Sequence, residues 1–379
     1  MAFILPTAMS HPRYTITTAE ICADIHRANR DRPRPDQTDE VAADADVQRA
    51  DPGRPRPARP ELIDRIAASV GVEHRFFSAP LAEIAEAGTI SERQRAAFGH
   101  LRDRGIEAAQ QVMAQHGISP SDIDILVTSH ATGDAKPGLD IALVNALGLP
   151  RKVRRVQMTE LACGGGAQSL IRAADLIAAG RGRTALVVVA ETLSTIYHHS
   201  DTGADALAFK FLFGDSGGAA IVTSTAPSGP SLQILDTLEL VIPDTEHYYR
   251  QRHEPDGIHF DSTRAAIRAV DTVMPDLWDW LRTGSGNPTW AADHVVAHPG
   301  GPAVLERIQK GLDVSDERLR HSWASLADGG NRGGPAVLDI LRRLMDDPPA
   351  HGSEGLLLAF APGFAAAALR TKYLAGSAR

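Results

Sequence analysis

The stretch VRRVQMTELACGGGAQSLIRAADLIAAG, residues 153–180, decides the fold. Its first part reads as a strand that runs into Cys163, and three glycines, Gly164–Gly166, follow at once. Apolar residues then recur at helical spacing until Gly180. A strand that turns through small residues into a helix is a unit of α/β architecture. The glycines permit a tight turn and a close backbone approach. A thiol at the start of a helix gains partial positive field, which favours the thiolate, and nearby backbone N–H groups suit an oxyanion. The other reading of Cys163 is a small buried hydrophobe beside a tight turn.

The same grammar extends outward. ISERQRAAFGHLRDRGIEAAQQVMAQHG (90–117) predicts a helix, IDILVTSH (123–130) a strand and PGLDIALVNALG (137–148) a helix. TALVVVAET (184–192), GGAAIVTST (217–225) and LQILDTLELV (232–241) predict strands. The later part repeats this order. DHVVAHPGG (293–301) parallels IDILVTSHATG (123–133), GLLLAFAPGF (355–364) parallels TALVVVAET, and AAAALRTKYL (365–374) parallels GGAAIVTST. The expectation is an α/β protein of two similar halves, 61–230 and 231–379, packed as layers in the order α/β/α/β/α. Residues 1–60 precede them, with a capped helix in TITTAEICADIHRANR (15–30) and a Pro- and charge-rich segment that has room for one short helix, DEVAADADVQRA (39–50).

Composition narrows the function. The 379 residues suffice for two core-forming units, since single domains run to ~100–200 residues. A formal net charge of −8 argues against nucleic acid as a partner. No apolar run reaches the ~18 residues of a membrane span and no leader pattern is present, so a cytoplasmic protein is expected. Cys22 and Cys163 lie in unlike contexts, which argues against a disulfide in a reducing compartment.

Two more segments share the strand–glycine–helix form. In VVAHPGGPAVLERI (295–308), His298 closes a strand before Gly300, Gly301 and Pro302, where general acid/base or oxyanion work is found. In LADGGNRGGPAVLDILRRL (326–344), Asn331 stands in a glycine-rich loop that enters a helix through Pro335. Its amide N–H suits a developing enolate or oxyanion, and a plain turn is the other reading.

Taken together, these segments resemble the condensing enzymes of the thiolase superfamily, and specifically the type III polyketide synthases of the chalcone synthase kind. HPGGPAVLE (298–306) is similar to that family's histidine motif, FLFGDSGGAAIV (211–222) to its strand–turn signature, and GGNRGGPAVLDILRR (329–343) to its asparagine segment. The resemblance implies a thiolase-like fold and a decarboxylative Claisen condensation of an acyl-CoA starter with malonyl-CoA. It implies Cys163 as nucleophile and thioester carrier, with His298 as its ion-pair partner. His298 and Asn331 would also hold the malonyl thioester carbonyl. Phe213, and Phe260 in GIHFDS, resemble the gate aromatics between coenzyme A tunnel and cavity. Leu193 and Ile196 fall where chalcone-forming members carry threonines, and Gly333 lies beside Asn331. Arg75 falls in a stretch resembling the segment that contacts coenzyme A. No cofactor and no metal are implied, only acyl-CoA and malonyl-CoA as partners, and a homodimer whose crossing loop resembles ATGDAKPGLD (131–140), with Lys136 where a Met is usual. The rival readings are another thiolase-fold acyltransferase or single-round ketosynthase, and a silent partner subunit.

Some residues stay outside this scheme. Arg332 puts a permanent charge beside Asn331 unless it turns outward. The pair His198-His199 lacks further ligands at metal spacing and reads as a loop pair. GRGRTA (180–185) precedes a strand, so it is no phosphate loop. Arg151, Lys152, Arg154 and Arg155 read as a solvated basic face, with coenzyme A phosphate attraction as the alternative.

Overall fold

The computed structural model describes residues 1–31, 59–86 and 88–376, so the short helix expected over 39–50 lies outside the described residues. Strands β1 (Ala2–Ile4), β2 (Ala8–Ser10) and β3 (Tyr14–Thr17) lead into α1 (Thr18–Arg30). Helix α2 (Pro60–Ser69), β4 (His74–Phe77) and α3 (Leu81–Ala85) precede the long α4 (Ile90–Gln115). There follow β5 (Ile125–His130), α5 (Leu139–Leu147), β6 (Arg154–Thr159), α6 (Gly165–Ala178), β7 (Thr184–Glu191), α7 (Ala204–Leu212), β8 (Ser216–Thr223) and β9 (Ser231–Val241). The chain continues through β10 (Tyr249–Glu254), β11 (Gly257–Ser262), α8 (Arg264–Ser285), β12 (His294–Ala297) and α9 (Pro302–Leu312). It ends with α10 (Asp316–Gly329), α11 (Pro335–Asp346), β13 (Glu354–Ala361) and β14 (Ala365–Leu374).

Local chemistry sets these boundaries. The Thr17 hydroxyl accepts the Glu20 N–H, and the Glu20 carboxylate accepts the Thr17 N–H, a reciprocal cap that starts α1. The runs in β5, β7, β8 and β13 are apolar on both faces because helices cover both sides of the sheet; Val127, Val187 and Leu358 are fully buried.

Strand order is β12-β13-β14-β9-β1-β8-β7-β5-β6, with β2 also on β8. The parallel pairs are β12 with β13, β5 with β6 and β5 with β7. Helices α4 and α5 pack outside the β5–β8 region, and α8, α9 and α10 outside the β9–β14 region. Between them lie α6 and α11, which touch strands of both regions and each other. The result is the five-layer arrangement of a thiolase-like fold. Sequence periodicity did not assign a role to β1. It pairs antiparallel with β8 on one side and with β9 on the other, so Ala2, Phe3 and Ile4 join the two regions into one hydrogen-bonded path.

The central helices meet at their starts. A Cβ on Gly166 would lie 2.3 Å from the Gly334 carbonyl oxygen, closer than any side chain tolerates. Glycine at both positions therefore lets the N-termini of α6 and α11 touch backbone to backbone. That contact brings the loop of Cys163 against the loop of Asn331.

Candidate active site

Cys163 sits in a one-turn 3-10 helix, Ala162–Gly164, between β6 and α6. Glu160 and Ala162 take positive φ values of 66° and 42° there, so the chain bends sharply to aim the thiol inward. Asn331 is placed by its backbone. Its N–H donates to the Leu212 carbonyl at 2.8 Å and its carbonyl accepts the Gly214 N–H at 3.1 Å, tying it beside Phe213. Gly330 makes this possible, because its φ is +66° and a Cβ would lie 2.2 Å from the Leu212 oxygen. The Gly333 N–H donates to Asn331 Oδ1 at 2.9 Å, which holds the amide beside Cys163 with both ends near Sγ, Nδ2 at 3.8 Å and Oδ1 at 3.9 Å. His298 follows β12, with its N–H on the Leu358 carbonyl at 2.8 Å. Its side chain is 2% exposed, and neither ring nitrogen has a hydrogen-bond partner.

These three side chains line one cavity enclosing about 970 Å³ of empty space, its mouth included. Phe213, Phe260, Leu193, Ile196 and Gly333 line it too. Phe213 stacks on Phe209 at 4.9 Å between ring centres, Phe209 meets Phe260 at 5.4 Å, and Tyr249 stacks on Phe260 at 5.8 Å. Sequence reasoning missed Phe209, Tyr249, Phe360 and Phe364, all of which form the wall. Phe209 lies one helical turn before Phe213 and Tyr249 lies on the strand paired with that of Phe260, yet no spacing rule marked them. The wall is apolar, as Leu193 and Ile196 suggested.

Burial decides the resting charges. It pushes the Cys163 thiol up to about 12, against the smaller opposite effect of the Asn331 contact. It also drives His298 down to about 3, helped by the nearby Arg332 charge. Burial thus favours the neutral thiol and the neutral imidazole over the ion pair that the resemblance implies. Beside the cavity, the buried Glu191 carboxylate accepts the Ala131 N–H, the Thr132 N–H and the Thr132 hydroxyl, and burial raises it to about 7.

Arg332 turns inward and away from the cavity. Its guanidinium pairs with the fully buried Asp339 at 2.7 Å and donates to the Ser325 carbonyl at 3.3 Å. Asp339 also takes Arg342 and Arg343, and the three guanidinium groups hold its carboxyl far below the usual carboxylate range. Arg75 is a correction. It is fully buried and lines none of the cavities described among these residues, so it is not placed to meet a coenzyme A phosphate. Its guanidinium donates to the Ile16 carbonyl, the Thr18 hydroxyl and the Phe211 carbonyl, so it ties the start of the chain to α7. Arg151, Lys152, Arg154 and Arg155 are exposed as expected of a solvated face, with Arg155 paired to Asp140. Lys136 is exposed on its loop.

Known proteins match this arrangement. The family model for chalcone and stilbene synthases, N-terminal domain, covers residues 77–227, and that for the C-terminal domain covers 233–374. The 1,3,6,8-tetrahydroxynaphthalene synthase of Streptomyces peucetius subsp. caesius is 32% identical over 318 residues, 80% of this chain and 82% of that protein. The phloroglucinol synthase of Pseudomonas fluorescens is 29% identical over 309 residues, 81% of this chain and 88% of that protein. Among solved structures, germicidin synthase from Streptomyces coelicolor, a type III polyketide synthase, superposes with a TM-score of 0.86 at 31% identity, over 98% of this chain and 99% of that one. With both family models matched over most of its length, the chain belongs to the chalcone and stilbene synthase family and is a type III polyketide synthase, an acyltransferase that condenses an acyl-CoA with malonyl-CoA.

Proposed function

We propose that Cys163 carries the acyl chain as a thioester, while His298 and Asn331 hold the malonyl thioester carbonyl as carbon dioxide leaves. One observation carries this reading. A thiol, an amide N–H oriented by Gly333 and an imidazole with both nitrogens unpartnered meet in a single apolar cavity. In loading, the Sγ–H proton passes to His298 as sulfur attacks the starter's carbonyl carbon. The C–S bond to coenzyme A then breaks, and the leaving thiolate takes that proton. Burial disfavours a separated thiolate and imidazolium, which suits a proton transfer that accompanies attack. In extension, the bond from the malonyl methylene to its carboxylate breaks and its electron pair forms an enolate. The enolate oxygen accepts from Asn331 Nδ2–H and a His298 N–H, fixed donors in a site with few competing waters. The enolate carbon attacks the carbonyl carbon of the Cys163 thioester, the bond from that carbon to Sγ breaks to release the Cys163 thiolate, and the lengthened chain leaves on coenzyme A.

This chemistry calls for no metal and no cofactor. A homodimer is supported by β6, whose second edge has no partner strand among the described residues and leaves backbone N–H and carbonyl groups open to a second copy. Two free thiols suit the cytoplasm. The test is incubation of the protein and of Cys163→Ala with labelled malonyl-CoA and a panel of acyl-CoA starters. Starter-dependent polyketides and carbon dioxide release, both absent from the variant, are expected. Acyl loading without malonyl consumption would move the reading to a simple acyltransferase. Light scattering at increasing concentration reads the dimer.

A further inference from the structure

We infer that His198, Asp256 and His259 form a site for a divalent transition metal of the zinc class, on the face of the β10–β11 hairpin turned away from the catalytic cavity. The three residues offer ligand atoms all within 4.8 Å of one another. Along β11 the side chains alternate: Ile258 and Phe260 line the cavity, whereas His259 is buried on the other side. There it meets His198 from the loop before α7, and the two rings stack at 4.0 Å.

The hydrogen bonds fix which nitrogen is available. His198 Nε2–H donates to the Ile258 carbonyl at 2.9 Å, which leaves the Nδ1 lone pair toward Asp256 Oδ2 at 3.8 Å. His259 Nδ1–H donates to Asp201 Oδ2 at 2.8 Å, and Arg252 faces that carboxylate at 3.8 Å. This leaves the His259 Nε2 lone pair 3.0 Å from Asp256 Oδ1. At that distance either a proton on Nε2 or a metal ion must lie between the nitrogen and the carboxylate oxygen. Each histidine thus already has the outer partner, a carbonyl or a carboxylate, that orients metal-binding imidazoles. Two ligand atoms of a tetrahedral zinc, each ~2.0–2.2 Å from the ion, stand about 3.3 Å apart. The spacings of 3.0 and 3.8 Å lie on either side of that value. Two imidazoles with one carboxylate suit zinc, cobalt or nickel over magnesium or calcium. Both histidines are buried, while Asp256 is 41% exposed, which gives the ion an entry from solvent and room for a water as fourth ligand. The sequence reading took His198 for a loop residue because its co-ligands lie about sixty residues away on a hairpin.

The full chain, stripped with chelator and moved to metal-free buffer, is titrated with Co2+ and read by its visible ligand-field bands. One equivalent taken up, and displaced by one equivalent of Zn2+, is expected. His198→Gln and His259→Gln should each weaken uptake at least tenfold, with far-UV circular dichroism reporting that they fold. Asp256→Asn, on the exposed side of the site, is a second variant with the same expected loss. Cys22→Ser, which alters the other His/Cys/Asp group among the described residues (Cys22, His26 and Asp64), should change nothing. No saturable uptake by the wild-type chain would mean that a proton on His259 fills the gap, and would overturn the site. Uptake that persists in both histidine variants, or in Asp256→Asn, or that is lost in Cys22→Ser, overturns it equally.

Discussion

Asn331 Oδ1 accepts the Gly333 N–H, and that bond holds the amide beside Cys163 with Nδ2 left as its donor to the cavity. A side chain so oriented stabilises negative charge that appears only during decarboxylation. Asn331→Ala should therefore slow carbon dioxide release from malonyl-CoA by roughly 100- to 1000-fold. Acyl loading of Cys163, followed by intact-protein mass, should persist. Cys163 itself sets a second expectation. With the thiol pushed up to about 12, the thiolate fraction grows tenfold per pH unit across the neutral range. Alkylation by iodoacetamide in the absence of substrate should climb steadily from pH 6 to pH 10; a plateau near pH 7 would contradict the resting neutral pair. The sequence marked Cys163, His298 and Asn331 because each sits where a strand gives way to glycines and a helix. It could not show the direction of Arg332 or Arg75. A long guanidinium side chain reaches either a cavity or a buried carboxylate from the same backbone position, and the partner, Asp339 or the Phe211 carbonyl, is fixed only by tertiary packing.

At the scale of elements, the contact between the starts of α6 and α11 holds nucleophile and amide together. Gly166→Ala puts a methyl 2.3 Å from the Gly334 carbonyl oxygen, so the helices must separate. Overpacking of this kind costs about 1–3 kcal/mol, readable by urea unfolding. Because the displaced loops carry Cys163 and Asn331, turnover should fall more steeply than stability alone explains. Gly164, Gly165 and Gly166 stood out in the sequence, but their partner across the interface did not, since periodicity reports one helix at a time. The cavity wall was hidden for a similar reason. Phe209, Tyr249, Phe360 and Phe364 come from α7, β10, β13 and the turn between β13 and β14, and only the folded chain makes them neighbours.

Over the whole molecule, the repeated order of strands and helices was legible because apolar runs and glycine turns recur in both parts of the chain. The bridge between them was not. A three-residue strand gives no periodic signal, yet β1 carries the ladder from β8 to β9. Ile4 is fully buried at that junction. Ile4→Ala should lower stability by about 2–5 kcal/mol, as loss of a core aliphatic side chain does. Thermal unfolding should still show one transition, because both regions lose the same support. The order in which these pieces leave the ribosome gives the bridge a further meaning. Residues 2–4 are made early, but their partners span 216–223 and 231–241. At ~5–20 residues per second, β1 waits roughly 10–50 s for both neighbours to be synthesised. The bridge from β8 to β9 is completed only after the segment that bears Cys163 has been translated, so the first strand made cannot take its place until most of the chain ahead of β12 exists.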